Sequence, residues 1–215
     1  MKTRKFDRLY EDYIGNVTED GDGFTNINKE AIDFIIRTNE IEGYTIDRKD
    51  VEQATEGVRQ GYPLRYATDN PHIISQFEML KELGKIDKID ADAVLQLHRA
   101  QGDQVLDHGT SGIYRSNAAG SLGGAKYVDH RKIADTMRVW ENELPNFDDP
   151  FSAVALLMQI HPFADGNGRV GRMVLLKLNN MDFAKTLRDI SSGNYITRIQ
   201  SAVNREYKKL KLDDA

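Results

Sequence analysis

Apolar side chains recur at intervals of three and four residues along most of the chain, the spacing that lines one face of an α-helix. The pattern predicts helices over roughly Pro71–Leu83, Asp90–Gln101, His130–Leu144, Pro150–Ile160, Gly168–Asn180 and Asn194–Leu210. A first strong helix is expected from a cap at Asn28 to about Glu42, following a loop, Gly15 to Asn28, rich in Gly, Asp, Asn and Thr. The five prolines, Pro63, Pro71, Pro145, Pro150 and Pro162, all fall at helix boundaries or in loops. One stretch breaks the helical period. Ser111 to Val128, SGIYRSNAAGSLGGAKYV, places aromatic and branched residues at both ends of a Gly-rich middle. It suits a short β-hairpin or an ordered flap, with an irregular surface loop as the alternative. The expectation is a mostly helical chain without internal repeats.

Composition narrows the class. A length of 215 residues allows one domain, or a core with a modest extension. With 40% apolar and 29% charged residues it can bury a core, which sets it apart from disordered chains and disulfide-stapled scaffolds. The 29 basic and 34 acidic side chains leave a net charge of −5, which argues against nucleic acid or an anionic membrane as a general partner. The chain has no cysteine, so disulfides, thiolate metal sites and a cysteine nucleophile are excluded, and a reducing, cytoplasmic setting is expected. The start, MKTRKFDRLYEDY, is basic but lacks the apolar run of a secretory signal. The longest apolar stretch, Phe151 to Ile160, is too short to cross a bilayer.

The chemistry concentrates in HPFADGNGRVGR, His161 to Arg172, between an apolar helix and an amphipathic one. Pro162 drives His161 out of the α region, so the preceding helix stops and displays the imidazole at the head of a loop. Gly166 and Gly168 permit close backbone approach and, with Asn167, lead into a helix whose free amides form an anion site. Arg169 and Arg172 are three residues apart and share a face, while Val170, Val174 and Leu178 take the core side. Asp165 is a hard oxygen ligand of the kind that holds Mg²⁺ together with phosphate oxygens. The ordinary pKa of histidine, about 6.5, suits His161 to accept a proton from an attacking hydroxyl. Together these groups describe a phosphoryl or nucleotidyl transfer site.

The stretch resembles the signature of the Fic (filamentation induced by cAMP) family, His-Pro-Phe-x-Asp-Gly-Asn-Gly-Arg-x-x-Arg, with every fixed position filled. The resemblance implies an all-α fold, a helical bundle with a short β-hairpin flap, and an enzyme that transfers AMP from ATP to a hydroxyl of a target protein. His161 would then be the general base, Asp165 the Mg²⁺ ligand and Phe163 a core anchor. Asn167 and the amides around Gly166 and Gly168 would form the anion hole, Arg169 would neutralise phosphates, and Arg172 would reach the γ-phosphate. Tyr195, and more weakly Asn204, stand where the family supplies an adenine pocket. The flap near Ile113–Val128 would dock the target protein as an added strand. Self-modification is a further possibility of such an enzyme.

Near the amino terminus, TNEIEG (Thr38 to Gly43) closes the first helix. Gly43 suits the position after the cap, which leaves the Glu42 carboxylate in a last turn where the helix dipole disfavours it without a cationic partner. The segment resembles the inhibitory pattern of Fic proteins, in which the glutamate pairs with the second signature arginine, here Arg172. Its place before the core resembles the class with an N-terminal inhibitory helix. The organisation expected is an appendage and loop over 1–28, an inhibitory helix over 29–43, a Fic core over 44–210 and a tail over 211–215. Removal of AMP, transfer of another nucleotide or phosphoryl group, and a non-catalytic nucleotide-binding module are the alternative functions within and beside this resemblance.

Overall fold

The computed structural model describes residues 29–119, 127–191 and 195–209, the side chains of 196 and 204–209 excepted. Its helices are α1 (Lys29–Ile41), α2 (Arg48–Arg59), α3 (Leu64–Ala67), α4 (Pro71–Lys85), α5 (Ala91–Gln101), α6 (Ile133–Glu143), α7 (Pro150–Ile160), α8 (Asn167–Leu178), α9 (Phe183–Ser191) and α10 (Tyr195–Lys209). Short 3₁₀ turns at His130–Lys132 and Leu144–Asn146 flank α6. The fold is all-α, as the apolar spacing predicts, and no described residue lies in a strand. No described helix is long and apolar enough to cross a membrane.

The bundle is organised around α7. Its sequence, PFSAVALLMQI, is apolar on nearly every side, which is the composition of a helix buried all round. Asp149 caps its start by accepting the Ser152 amide at 2.9 Å, and Pro150 occupies the first turn, where a missing N–H costs nothing. Helices α6, α8 and α10 pack on it. The indole of Trp140 is fully buried and donates to the Ala153 carbonyl at 2.8 Å, tying α6 to α7. Helix α8 in turn meets α4, α5 and α9, so the loop between α7 and α8 sits where several helices converge.

Helix α1 lies against α9, with Phe34 edge-on to Phe183 at 5.6 Å. It ends as Gly43 predicts. Gly43 takes φ +86°, its amide donates to Glu40 O at 3.0 Å, and the Tyr44 amide donates to Asn39 O at 3.0 Å. The last helical residue is Ile41, so Glu42 is the cap just beyond the last turn rather than within it.

Two parts of the sequence reading change. Helices α2, α3 and α9 lie outside the ranges predicted from apolar spacing. In α2 only Val51, Ala54 and Thr55 are buried, α3 is one turn long, and α9 has nine residues. The β-hairpin expected over Ile113–Val128 is not seen among the described residues. Residues 120–126 lie outside them, and the flanks at 111–119 and 127–129 form turns, bends and irregular chain.

Candidate active site

His161 caps the carboxyl end of α7, where its amide donates to Leu157 O at 3.0 Å. A following proline favours extended backbone, yet His161 has φ 51° and ψ 61°, in the left-handed region. A non-glycine residue there is held by its surroundings. Arg115 supplies the hold: its Nε donates to His161 O at 2.7 Å and its amide to Pro162 O at 2.9 Å. The imidazole is not freely displayed either. It is half-buried and stacked on the Tyr127 ring at 4.0 Å. Burial, and then the Arg115 charge, push the His161 pKa below the ordinary histidine value, opposed by the Met158 carbonyl and the Asp165 carboxylate. These effects favour the neutral ring, the form that accepts a proton.

The loop that follows is closed by its own side chains. Phe163 is fully buried, as expected of a core anchor. Asn167 Oδ1 accepts the Phe163 amide at 3.0 Å, and its Nδ2 donates to Phe163 O at 2.8 Å. The amide side chain expected at the anion hole thus spans the loop and fixes its shape. Gly166, at φ +77°, starts α8 and supplies no side-chain cap to its first-turn amides, which are the kind that bind anions. The positive φ favours glycine at this position, where a Cβ would also press on the end of the Gln101 side chain, 2.6 Å from Oε1.

Residues that the motif reading passed over support this loop. His98 on α5 stacks on Phe163 at 3.7 Å, bonds Asp165 O through Nε2 at 3.0 Å and accepts the Gly112 amide on Nδ1 at 2.8 Å. These partners require the proton on Nε2. Gln101, three residues on, donates to Gly166 O at 3.2 Å. A signal was present in LQLHRAQ: His98 and Gln101 are polar residues on the same buried face as Val94 and Leu97. Arg115 and Tyr127, at the two ends of the flap, carried no such periodic signal.

Burial lowers the His98 pKa to about 4. An unfolded histidine binds its proton near pH 6.5, so between about pH 6.5 and 4 the unfolded chain holds the extra proton and stability falls as pH falls. The expected loss is about 3 kcal/mol across that window. Urea unfolding at a series of pH values checks it, because His98→Asn, which lacks this group, should flatten the same part of the profile.

On the other side of the α8 amino terminus, Asp165 Oδ2 accepts Arg169 Nη2 at 3.1 Å; the aspartate is 59% exposed and the arginine buried. Arg172 is buried as well and donates from Nη2 to Glu42 Oε1 at 2.5 Å and to Thr38 O at 3.2 Å. The TNEIEG segment therefore meets Arg172 through both its glutamate and a main-chain carbonyl. Thr38 itself is fully buried. An ideal Cβ at Gly168 would lie 2.4 Å from Glu42 Oε1, so the Glu42 carboxylate rests over the first turn of α8. Even so, among the described residues Arg169 Nε and Nη1 and Arg172 Nε are buried with no hydrogen-bond partner. Buried guanidinium donors left without acceptors are costly, and a polyanion at this helix end would satisfy them.

Tyr195 is not an open pocket wall. It is buried in the core, edge-on to Phe151 at 5.9 Å and beside Arg172, and burial raises its hydroxyl pKa. The Asn204 side chain lies outside the described residues. The described residues contain no group of three or more His, Cys, Asp or Glu able to hold a metal by themselves. Asp165, a single exposed carboxylate beside the arginines, fits a Mg²⁺ that takes its other ligands from phosphate and water.

The all-α fold thus brings a half-buried histidine and a helix start carrying two buried arginines onto one loop and the helix that follows it. Residues 88–178 match the Fic/DOC family model. That family includes AMP-transferring and other nucleotidyl- or phosphoryl-transferring enzymes. Helix α1, with Glu42, precedes the matched residues. The fold resembles a Fic domain containing signaling protein from Bacteroides thetaiotaomicron, with 18% identity over 95% of this chain and 92% of that one, and a TM-score of 0.53. It also resembles a fragment of Fic-1 from C. elegans, with 16% identity over 97% and 70% and a TM-score of 0.58. A Fic family protein from Desulfovibrio desulfuricans matches at 21% identity over 86% and 57%, with a TM-score of 0.53. At these identities the likeness is one of fold. No curated protein sequence matches the chain.

Proposed function

We propose that this chain is a protein adenylyltransferase held at low activity by its own Glu42. The observation that carries the reading is the pair of buried arginines in the first turns of α8 whose donors are not all partnered among the described residues, on the helix that follows His161 and its loop. The donors fit the triphosphate of ATP, and the first-turn amides fit phosphate oxygens. His161 takes the proton of a target hydroxyl as its oxygen bonds to the α-phosphorus. The bond from that phosphorus to the bridging oxygen breaks, and pyrophosphate leaves with the electron pair. Asp165 would hold Mg²⁺, which when bound neutralises phosphate charge. Arg169 stabilises the phosphates, and Arg172 serves the γ-phosphate once Glu42 releases it. In this reading residues 29–43 are an inhibitory helix on a core of 44–210, and the target docks along the flap beside Tyr127.

ATP labelled separately on its α- and γ-phosphates tests the reading. With Glu42→Gly protein, the α-label is expected on a protein acceptor, with the γ-label released in pyrophosphate. The γ-label on protein would assign phosphoryl transfer instead. A second reading, hydrolytic removal of AMP, draws on the Glu42 carboxylate resting over the first turn of α8, where it could activate a water. It requires AMP release from a modified target that Glu42→Gly abolishes.

A further inference from the structure

Arg115 lies outside the signature, in the first arm of the flap, yet it is buried to 6% exposure. Among the described residues its guanidinium donates to main-chain carbonyls. Nε reaches His161 O at 2.7 Å, Nη1 reaches Asn117 O at 2.8 Å, and Nη2 reaches Val128 O and, at 3.5 Å, Ile160 O. Two of these carbonyls, Ile160 and His161, belong to the end of α7, where helix carbonyls lack intrahelical donors and attract positive charge. The other two belong to opposite ends of the flap. One planar fork therefore joins three chain segments, and the Arg115 amide adds a bond to Pro162 O.

We propose that Arg115 is a positioning residue that fixes His161 in its left-handed pose and locks both ends of the flap to the carboxyl end of α7. The proposal rests on the reading that His161 is the general base. A single side chain then ties the base to Asn117 and Val128 on either side of the flap. The geometry is specific to arginine. A lysine ammonium carries the charge but cannot span four carbonyls in one plane.

The charge acts on His161 as well. The groups facing the imidazole are Arg115, which disfavours its protonation, Asp165, which favours it, and the stacked Tyr127. Arg115 itself faces Asp129 and Tyr127. Removing the Arg115 charge therefore leaves Asp165 as the principal charge on the ring and raises the pH at which it titrates.

Two variants of the full chain separate fork from charge. Arg115→Lys should speed hydrogen exchange of the Arg115 and His161 amides by at least ~10-fold, while leaving the His161 titration in place. Arg115→Gln should speed exchange and also raise the His161 titration midpoint, followed by NMR of the imidazole and assigned by its loss in His161→Ala. In a Glu42→Gly background, Arg115→Lys should lower kcat for α-label transfer by roughly 30-fold or more, with KM for Mg-ATP within about 3-fold. Unchanged exchange in both variants, an unchanged His161 midpoint in Arg115→Gln, or a loss confined to KM would overturn the proposal. If Arg115→Gln does not fold, Arg115→Lys still decides through exchange and the kcat–KM split. If the Glu42→Gly parent transfers no label, the adenylyltransferase reading fails, and exchange and titration still decide the role of Arg115.

Discussion

Glu42→Gly should raise AMP transfer by about 10²-fold and at the same time weaken the free protein. The gain follows from what Glu42 holds. Its carboxylate bonds Arg172 Nη2 at 2.5 Å and rests over the first turn of α8, so one side chain occupies both a cation and the helix end proposed for phosphate. A preorganised donor aimed at transition-state charge is worth about 10²–10³ in rate, and Glu42 withholds one. The loss follows from burial. Arg172 is 1% exposed, and removing the acid partner of a buried pair costs on the order of 3 kcal/mol, or roughly 10 °C for a chain of this size. Mg-ATP should restore more of that loss in the variant than it adds to the wild type, because only in the variant is Arg172 free for the nucleotide. Thermal melts with and without Mg-ATP check this. Equal gains in both proteins would mean that Glu42 does not compete with phosphate.

His161→Ala should lower transfer by roughly 10²–10⁴-fold, the usual contribution of a positioned general base, while nucleotide affinity stays within a few-fold. Affinity is preserved because the anion site is assembled by α8, Asn167 and Arg169, none of which bonds the imidazole. The pH dependence carries the sign of the mechanism. Burial and Arg115 hold the His161 pKa below about 6.5, so transfer should rise as pH increases through a midpoint below that value and be level at neutrality. A midpoint above 7 would mean that another group takes the proton.

The site was legible in the sequence where its chemistry lies on neighbouring residues. The spacing of His161, Asp165, Gly166, Arg169 and Arg172 fixes them on one loop and one helix turn, and local geometry then brings them together. The end of α1 was legible for the same reason, since Gly43 alone specifies the cap. What escaped depends on distant parts of the chain meeting. His161 is left-handed because Arg115, 46 residues earlier, holds its carbonyl, which overrides the extended preference imposed by Pro162. Asn167 serves the loop because Phe163 turns its amide and carbonyl towards it. Tyr195 joins the core because α10 packs along α7, a fact that apolar spacing within α10 does not contain. Helices α2 and α9 were legible too, since Val51, Ala54 and Val58, and Phe183, Leu187 and Ile190, stand at helical spacing, yet both lie outside the ranges expected from the sequence.

The most direct test is the intact mass of purified wild-type, Glu42→Gly and Glu42→Gly/His161→Ala protein after incubation with ATP and Mg²⁺, alone and with a lysate supplying acceptor proteins. An AMP-sized increment on the protein or on an acceptor, strong for Glu42→Gly, weak for wild type and absent for the double variant, is the expected result. An increment equal in wild type and Glu42→Gly, or one that survives loss of His161, would contradict the account of Glu42 as brake and His161 as base.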